Sequence, residues 1–287
     1  ERSKAMINLE NYSSICSTHK GSNTSNKYSF ISTMGVVKAL EKRSWFPVSA
    51  RQSRVRNPRA EGFQKHMIAF RYGDDAYRRL SLHEVIPQLL LTNAHSGMSS
   101  YVLDGSAWRC WCENQCITAE SLIESHRIRH VGWTMAQVFH SIDSIVENMP
   151  KMMARIDDFK STKLEEKAKR YFAQKSLDIA YPESKWNRYN REETVTQILD
   201  PRRSADQESN LWNVFNVVQE NIIKGGNFLA KEEPLSSGTR RLTYHTNRGI
   251  NAIERSVKVN KDLWSLAEEV FHRELELYSI FGEDVPL

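Results

Sequence analysis

The chain has 287 residues, enough for one large or two ordinary domains with a sizeable buried core. Forty per cent hydrophobic and 26% charged residues exclude a disordered chain, and no apolar run approaches the ~18 residues of a membrane-spanning helix. The net charge of +5 is modest but uneven: between Lys38 and Arg71 nine Lys/Arg stand against Glu41 and Glu61, which concentrates positive charge in one stretch, as on a surface that meets phosphates.

Residues 1–27, rich in Ser, Asn and Lys, lack sustained periodicity and are expected to form an N-terminal arm or a loosely packed edge. The opening ERSKAMINLENYSS has no apolar signal-peptide core, so a cytoplasmic protein is expected. From Thr33, the spacing of Val36, Val37 and Leu40 predicts a short helix that ends before Pro47. The segment Trp45 to Phe63 alternates weakly and carries Arg51, Arg54, Arg56 and Arg59, which suits a basic edge strand or a loop. Three strands are predicted next: His66–Tyr72, about Val85–Thr92, and Tyr101–Thr118 as one long element or a hairpin. Pro87 calls for an edge position or a bulge, while Asp74-Asp75 and His95–Gly97 read as turns.

At Met135 the period changes. Met135, Val138, Phe139, Ile142, Ile145, Val146 and Met149 predict an amphipathic helix interrupted at Pro150, with a second helix over Met152–Ala180. Tyr181–Arg191 reads as an aromatic and basic connector. Within Pro201–Gly226, Leu211, Val214, Phe215, Val218 and Ile222 define a helix that Asp206 or Ser209 can cap and Gly225-Gly226 can end. Its other face, Asn213, Asn216, Gln219, Glu220 and Asn221, consists mostly of amides where a solvated helix carries charges. Glu232–Arg248, with Pro234, two serines and Gly238, predicts a mobile loop, and a last helix is expected over about Asp262–Ser279. Strands first and helices afterwards give an α+β class: a mainly antiparallel N-terminal sheet against a long helix, then a helical C-terminal half. The expected division is an arm (1–27), a sheet-plus-helix core (28–160) and a mainly helical part packed on the same core (161–287).

For chemistry, Cys110, Cys112 and Cys116 offer thiolates, with His95, His126 and His130 near in sequence, but C-x-C followed by x-x-x-C is poor spacing for a zinc knuckle. No metal and no cofactor are expected. No G-x-S-x-G, phosphate-binding loop, G-x-G-x-x-G or H-E-x-x-H occurs, so no catalytic residue is assigned, although His66, His95 and Cys112 could centre a metal-dependent enzyme. The basic stretch points most directly to a partner. Lys42, Arg43, Arg51, Arg54, Arg56, Arg59 and Lys65 supply phosphate-pairing groups beside Trp45, Phe46 and Phe63, rings suited to stacking on unpaired bases. Arg202 and Arg203 either join that set or pair with Asp206 at the start of the helix. Trp212 and Trp264 suit core positions, whereas Trp45 and Trp186 suit contact.

The run P-R-R-x-x-D at Pro201–Asp206, then L-W-x-x-F-N-x-x-Q-E-N at Leu211–Asn221 and Gly225-Gly226, followed by Asn260, Leu263, Trp264 and Ala267, resembles the C-terminal half of the phage/plasmid-like protein family. That family is a domain of unknown function. Its N-terminal half is similar through Tyr28–Thr33 (YSFIST), Gly62-Phe63, His66, Asn93, His95, Gly97, Arg109, Cys112 and Asn114, although Gln115 stands where the family motif has Gly. The resemblance implies a mobile-element origin and a soluble intracellular protein, and it brings no activity. The leading expectation is a single-stranded nucleic-acid-binding protein for annealing in recombination or replication, with nucleic acid as partner, a possible homo-oligomer and no membrane. The alternatives are an inhibitor of a host defence system acting by protein–protein binding, and the metal-dependent enzyme above.

Overall fold

A computed structural model of the chain describes residues 7–55, 57–77, 84–97, 99–109, 115–117, 125–181 and 189–281. They form an α+β protein whose contacts divide it into two compact units, Glu1–Met152 and Met153–Leu287.

The first unit is built on an antiparallel sheet of order β1-β2-β3-β4-β5: Trp45–Gln52, His66–Tyr72, Val85–Asn93, Tyr101–Arg109 and Gln115–Ile117. A sixth strand, β6 (His126–Ile128), also pairs with β4. The stretch from Tyr101 is thus a hairpin, β4 with β5. Pro87 belongs to a central strand rather than an edge. It is tolerated because the pairing of β3 with β2 stops at Phe70↔Leu89, so the missing N–H faces no β2 partner. The β1 strand lies at the edge of the sheet, and a bulge between Pro47 and Ser49 shifts its register. By that shift Arg51 shares a sheet face with Phe46, and Gln52 shares the opposite face with Trp45 and His66. Helix α1 (Thr33–Glu41) precedes β1; Ser32 accepts from the Gly35 N–H at 3.1 Å as its N-cap, and Val36, Val37 and Leu40 are buried. Ile15 and Ile31 are fully buried, which builds the segment before α1 into this unit.

Helix α2 (Met135–Ser161) runs through Pro150, where the sequence predicted a break. The buried stripe continues through Met149, Met152, Ile156 and Phe159, so apolar burial outweighs the one backbone hydrogen bond that proline removes. The break comes at Thr162–Glu165, where Leu164 N donates to Ser209 O (2.7 Å) and Leu211 N to Thr162 O (2.9 Å). Helix α3 (Glu166–Ala180) follows.

In the second unit α3, α4 (Arg191–Leu199) and α6 (Ile253–Phe281) pack around α5 (Leu211–Lys224), in which every residue from Leu211 to Ile223 is buried. The N-cap of α5 is Asn210, which accepts from Asn213 N at 2.8 Å, rather than Asp206 or Ser209. The predicted mobile loop is an antiparallel hairpin, β7 (Gly225–Pro234) with β8 (Arg240–Arg248), turned at Gly238 (φ 80°). Its alternation is hard to see because both edges carry charges and most of β8 stays exposed. Helix α6 starts at Ile253, not near Asp262. Its buried stripe passes through Ser256 and Asn260, whose polarity hides the period.

Candidate nucleic-acid interface

Helix α1 ends in a tight turn in which Ser44 takes φ 64° and its carbonyl accepts from Gly73 N at 2.7 Å; β1 begins immediately afterwards. This turn leaves Lys42 and Arg43 exposed at one end of the edge strand, while Arg51, Arg54 and Arg59 are exposed at and beyond the other, with Lys65 half-exposed opposite. Arg56 lies outside the described residues. Eight residues of strand span about 26 Å, long enough to follow several nucleotides. Arg43 is held over the Phe139 ring (4.0 Å to its centroid) and donates to Asp143 at 2.8 Å. An exposed pair of this kind is worth ~1 kcal/mol or less, so a phosphate can replace it.

The exposed rings are not those the sequence suggested. Trp45 is only 5% exposed, its ring packed edgewise on Tyr72 at 5.4 Å, so it cannot receive a base; Trp186 lies outside the described residues. The exposed rings at this end of β1 are Tyr72 (58%) and Tyr77 (43%), and Tyr77 packs on Phe46 at 5.1 Å. A tyrosine that follows the basic stretch in sequence gives no sign that the sheet will bring it back beside that stretch. Phe63 packs edgewise on His19 at 5.3 Å. Arg71, counted with the basic stretch, is buried.

The N-terminal family residues meet in a buried cluster at the start of β2 and the end of β3. The Thr33 hydroxyl lies 2.9 Å from His66 Nε2 and 3.3 Å from His95 Nε2, and it accepts from Asn93 Nδ2 at 3.2 Å. The geometry fixes the tautomers. His66 Nδ1 faces the Gln64 carbonyl at 3.2 Å and must carry a proton, so in the neutral ring its Nε2 accepts from Thr33. The hydroxyl proton is then used, and His95 Nε2 must donate to Thr33. His130 Nε2 donates to Asn93 Oδ1 at 3.0 Å. Tyr28 stacks on His130 at 4.4 Å and Phe30 packs on His95 at 4.8 Å.

Burial, reinforced by His95, lowers the pKa of His66 to about 3; burial and His130 lower that of His95 to about 4. Burial also lowers His130. A neutral, water-excluded cluster of this kind fixes strand ends and turns, and among the described residues no group of three or more His, Cys, Asp or Glu could hold a metal ion. Arg109 is buried at the end of β4, and Cys112 and Asn114 lie outside the described residues. Tyr28 and Thr33 were visible only as part of the YSFIST motif, and His130 only as a stray histidine, because nothing local shows that Thr33 and His130 are joined through Asn93.

The C-terminal family residues form a second network inside the other unit. Arg203 makes a bidentate pair with Glu220 (2.6 and 2.7 Å) and reaches Asp206 at 3.3 Å, while Lys224 donates to Glu220 at 2.8 Å. Arg202 donates to Asn221 Oδ1 (2.6 Å) and to the Gly225 carbonyl (2.5 Å). Asn221 donates to the carbonyls of Ile198 (2.9 Å) and Asp200 (3.0 Å), Asn216 to Trp212 O (2.6 Å), and Gln219 to Asn260 Oδ1. Burial pushes the Glu220 carboxyl up, but Arg203 and Lys224 outweigh it and hold it at about 2. Both arginines are engaged with groups of their own unit, Arg203 half-buried and Arg202 still exposed, and the amide face of α5 is core. Trp212, 2% exposed, stacks on Phe215 at 5.8 Å. Gly225 (φ 68°) passes so close to Gly249 that a Cβ would come within 2.8 Å of Arg248 C and Asn247 O, whereas Gly226 (φ 86°) faces open space.

Most of the described family-motif residues are thus buried in networks within each unit, and a basic edge is exposed. The chain belongs to the family described as Domain of unknown function (DUF932), whose model matches residues 21–264. It is similar to UPF0380 protein YfjQ and UPF0380 protein YafZ, both of Escherichia coli (strain K12). Each is 29% identical over 255 residues, covering 89% of this chain and 86% of the relative. No solved structure matches it. No described helix is long and apolar enough to cross a membrane.

Proposed function

We propose that this chain is a single-stranded nucleic-acid-binding protein of a phage, plasmid or integrated element, serving strand annealing in recombination or replication. The observation that carries the reading is the β1 edge: exposed Lys42 and Arg43 just before this edge strand, Arg51 on it and Arg54 and Arg59 beyond it, with Tyr72 and Tyr77 exposed at its start. Cations attract the backbone whatever its sequence, and exposed rings favour single strands because a duplex offers no free base faces. The resemblance of the motifs to phage and plasmid proteins supports the mobile-element setting.

The test is fluorescence anisotropy with labelled single-stranded and duplex oligonucleotides across a salt series. Single strands bind more tightly, and with about four phosphates neutralised the logarithm of affinity falls against the logarithm of salt with a slope near −3. Tyr72→Ala narrows the preference for single strands, since a stacked base contributes ~1–3 kcal/mol. Absence of binding at low salt rejects the reading.

A further inference from the structure

Beside the start of β1 lies a cavity of about 170 Å³, walled by Leu9, Val37, Phe46 and Tyr77, with Glu10 and Glu41 among its lining residues. Several waters at ~30 Å³ each would fit, yet it falls below the ~300 Å³ at which pockets for drug-sized ligands begin, so its size class is that of one small planar ring system. The Phe46 and Tyr77 rings meet at 55°, and the Glu41 carboxylate is close enough to act on the Tyr77 phenol, whose pKa is raised first by burial and then by that charge. Lys42 and Arg43 follow Glu41 directly, so cations for a phosphate and carboxylates beside a ring-lined hole are a residue apart.

We propose that this cavity receives a single unstacked nucleobase and selects one that presents an amino group. Resting on the nucleic-acid reading above, the proposal names what the start of the β1 edge recognises. A carboxylate only accepts hydrogen bonds at neutral pH. Cytosine offers its exocyclic N4 amino group to such an acceptor, and adenine its N6, whereas thymine and uracil turn carbonyl oxygens towards it and are repelled. The same two carboxylates keep a phosphate out of the hole, which leaves the backbone to Lys42 and Arg43. One position of the strand is thereby read, while the rest of the edge binds without sequence choice.

The experiment compares labelled oligodeoxycytidylate and oligodeoxythymidylate of about twelve nucleotides, long enough for one site, by anisotropy at neutral pH. The full chain binds the cytidine strand more tightly by about fivefold or more, the discrimination of one good base contact. Glu41→Gln brings the ratio towards one, because an amide can donate to thymine as readily as it accepts from cytosine; Tyr77→Ala weakens binding of both strands. A melting midpoint of Glu41→Gln that matches the unsubstituted chain shows that the fold is intact. Equal affinity of the unsubstituted chain for both strands overturns the cavity assignment and leaves the basic edge standing. So does a preference that survives both substitutions. Failure to bind either strand overturns the assignment and the nucleic-acid reading together.

Discussion

The two units bury family residues in opposite electrical styles. In the first, Thr33, His66, Asn93 and His95, with His130 beside them, share hydrogen bonds among neutral groups. In the second, Glu220 sits among Arg203, Lys224 and a belt of amides, with charge answering charge. A neutral cluster excludes water at small cost while it remains uncharged, whereas an ionic one depends on every partner being present. The contrast predicts which unit acid weakens first. The folded pKa values of His66 and His95 lie below the unfolded value near 6.5, so the unfolded chain binds more protons. The stability these histidines contribute is complete above about pH 6.5 and is lost as pH falls towards their folded values, by up to roughly 1.4 kcal/mol per pH unit for each. The depressed Glu220 contributes stability above about pH 4.5 that is lost only as pH falls towards about 2. Glu268, raised by burial against the pull of Arg155, works in the opposite sense and favours the second unit in acid. Hydrogen exchange read by mass spectrometry, corrected for intrinsic rates, should show residues 28–109 losing protection at a higher pH than residues 191–270. Simultaneous loss, or loss in the second unit first, would break the comparison.

Substitutions sharpen it. Gly225→Ala should be the most damaging, at ~4 kcal/mol or more, because the new methyl meets the backbone of Arg248 and Gly249 rather than a side chain that can turn aside. Gly226→Ala, strained in φ alone, should cost ~1–2 kcal/mol, and a denaturant midpoint for each separates the two. Glu220→Gln removes the charge that Arg203 and Lys224 share. Breaking a buried pair costs ~3–5 kcal/mol, and the value should fall at the lower end because both cations keep partial contact with water. Thr33→Val, equal in shape, deprives His66, His95 and Asn93 of one hydroxyl at once and should cost ~1–3 kcal/mol, which Thr33→Ser restores. An unchanged midpoint in Thr33→Val would mean that the cluster holds without its centre.

What was legible in the sequence follows the same line. Strands β2 and β3, helix α1 and the buried stripe of α5 announce themselves because their signals are local: a period, a cap, a glycine at the exit. The amide face of α5 could be seen to be unusual, but its burial could not, because it depends on carbonyls at Ile198 and Asp200 and on Asn260 far along the chain. The hairpin β7–β8 was hidden by its own exposure, and the continuation of α2 past Pro150 by a rule that is right on average and loses here to a buried stripe. Of the candidate interface, the arginines were legible from charge alone. Tyr72 and Tyr77 were not, and Trp45 was misplaced, because which ring faces water is decided by the pairing of β1 with β2.

The smallest expected effect on stability belongs to the surface that should matter most for binding. Arg51, Arg54 and Arg59 are exposed, and surface substitutions away from buried networks stay within about ±0.5 kcal/mol, so Arg54→Ser with Arg59→Ser should melt with the parent chain. The same double variant should bind single-stranded DNA more weakly and shallow the salt slope by about 1.4 units, because each lost phosphate contact removes about 0.7. The pairing of those two outcomes is what distinguishes an interface from a scaffold. The buried networks change the melting midpoint and affect binding only by unfolding the protein, whereas the edge changes the salt dependence at a constant midpoint. If the double variant melts normally and keeps the full slope, the phosphates are held elsewhere, and the exposed arginines of β8, Arg240, Arg241 and Arg248, become the next residues to replace.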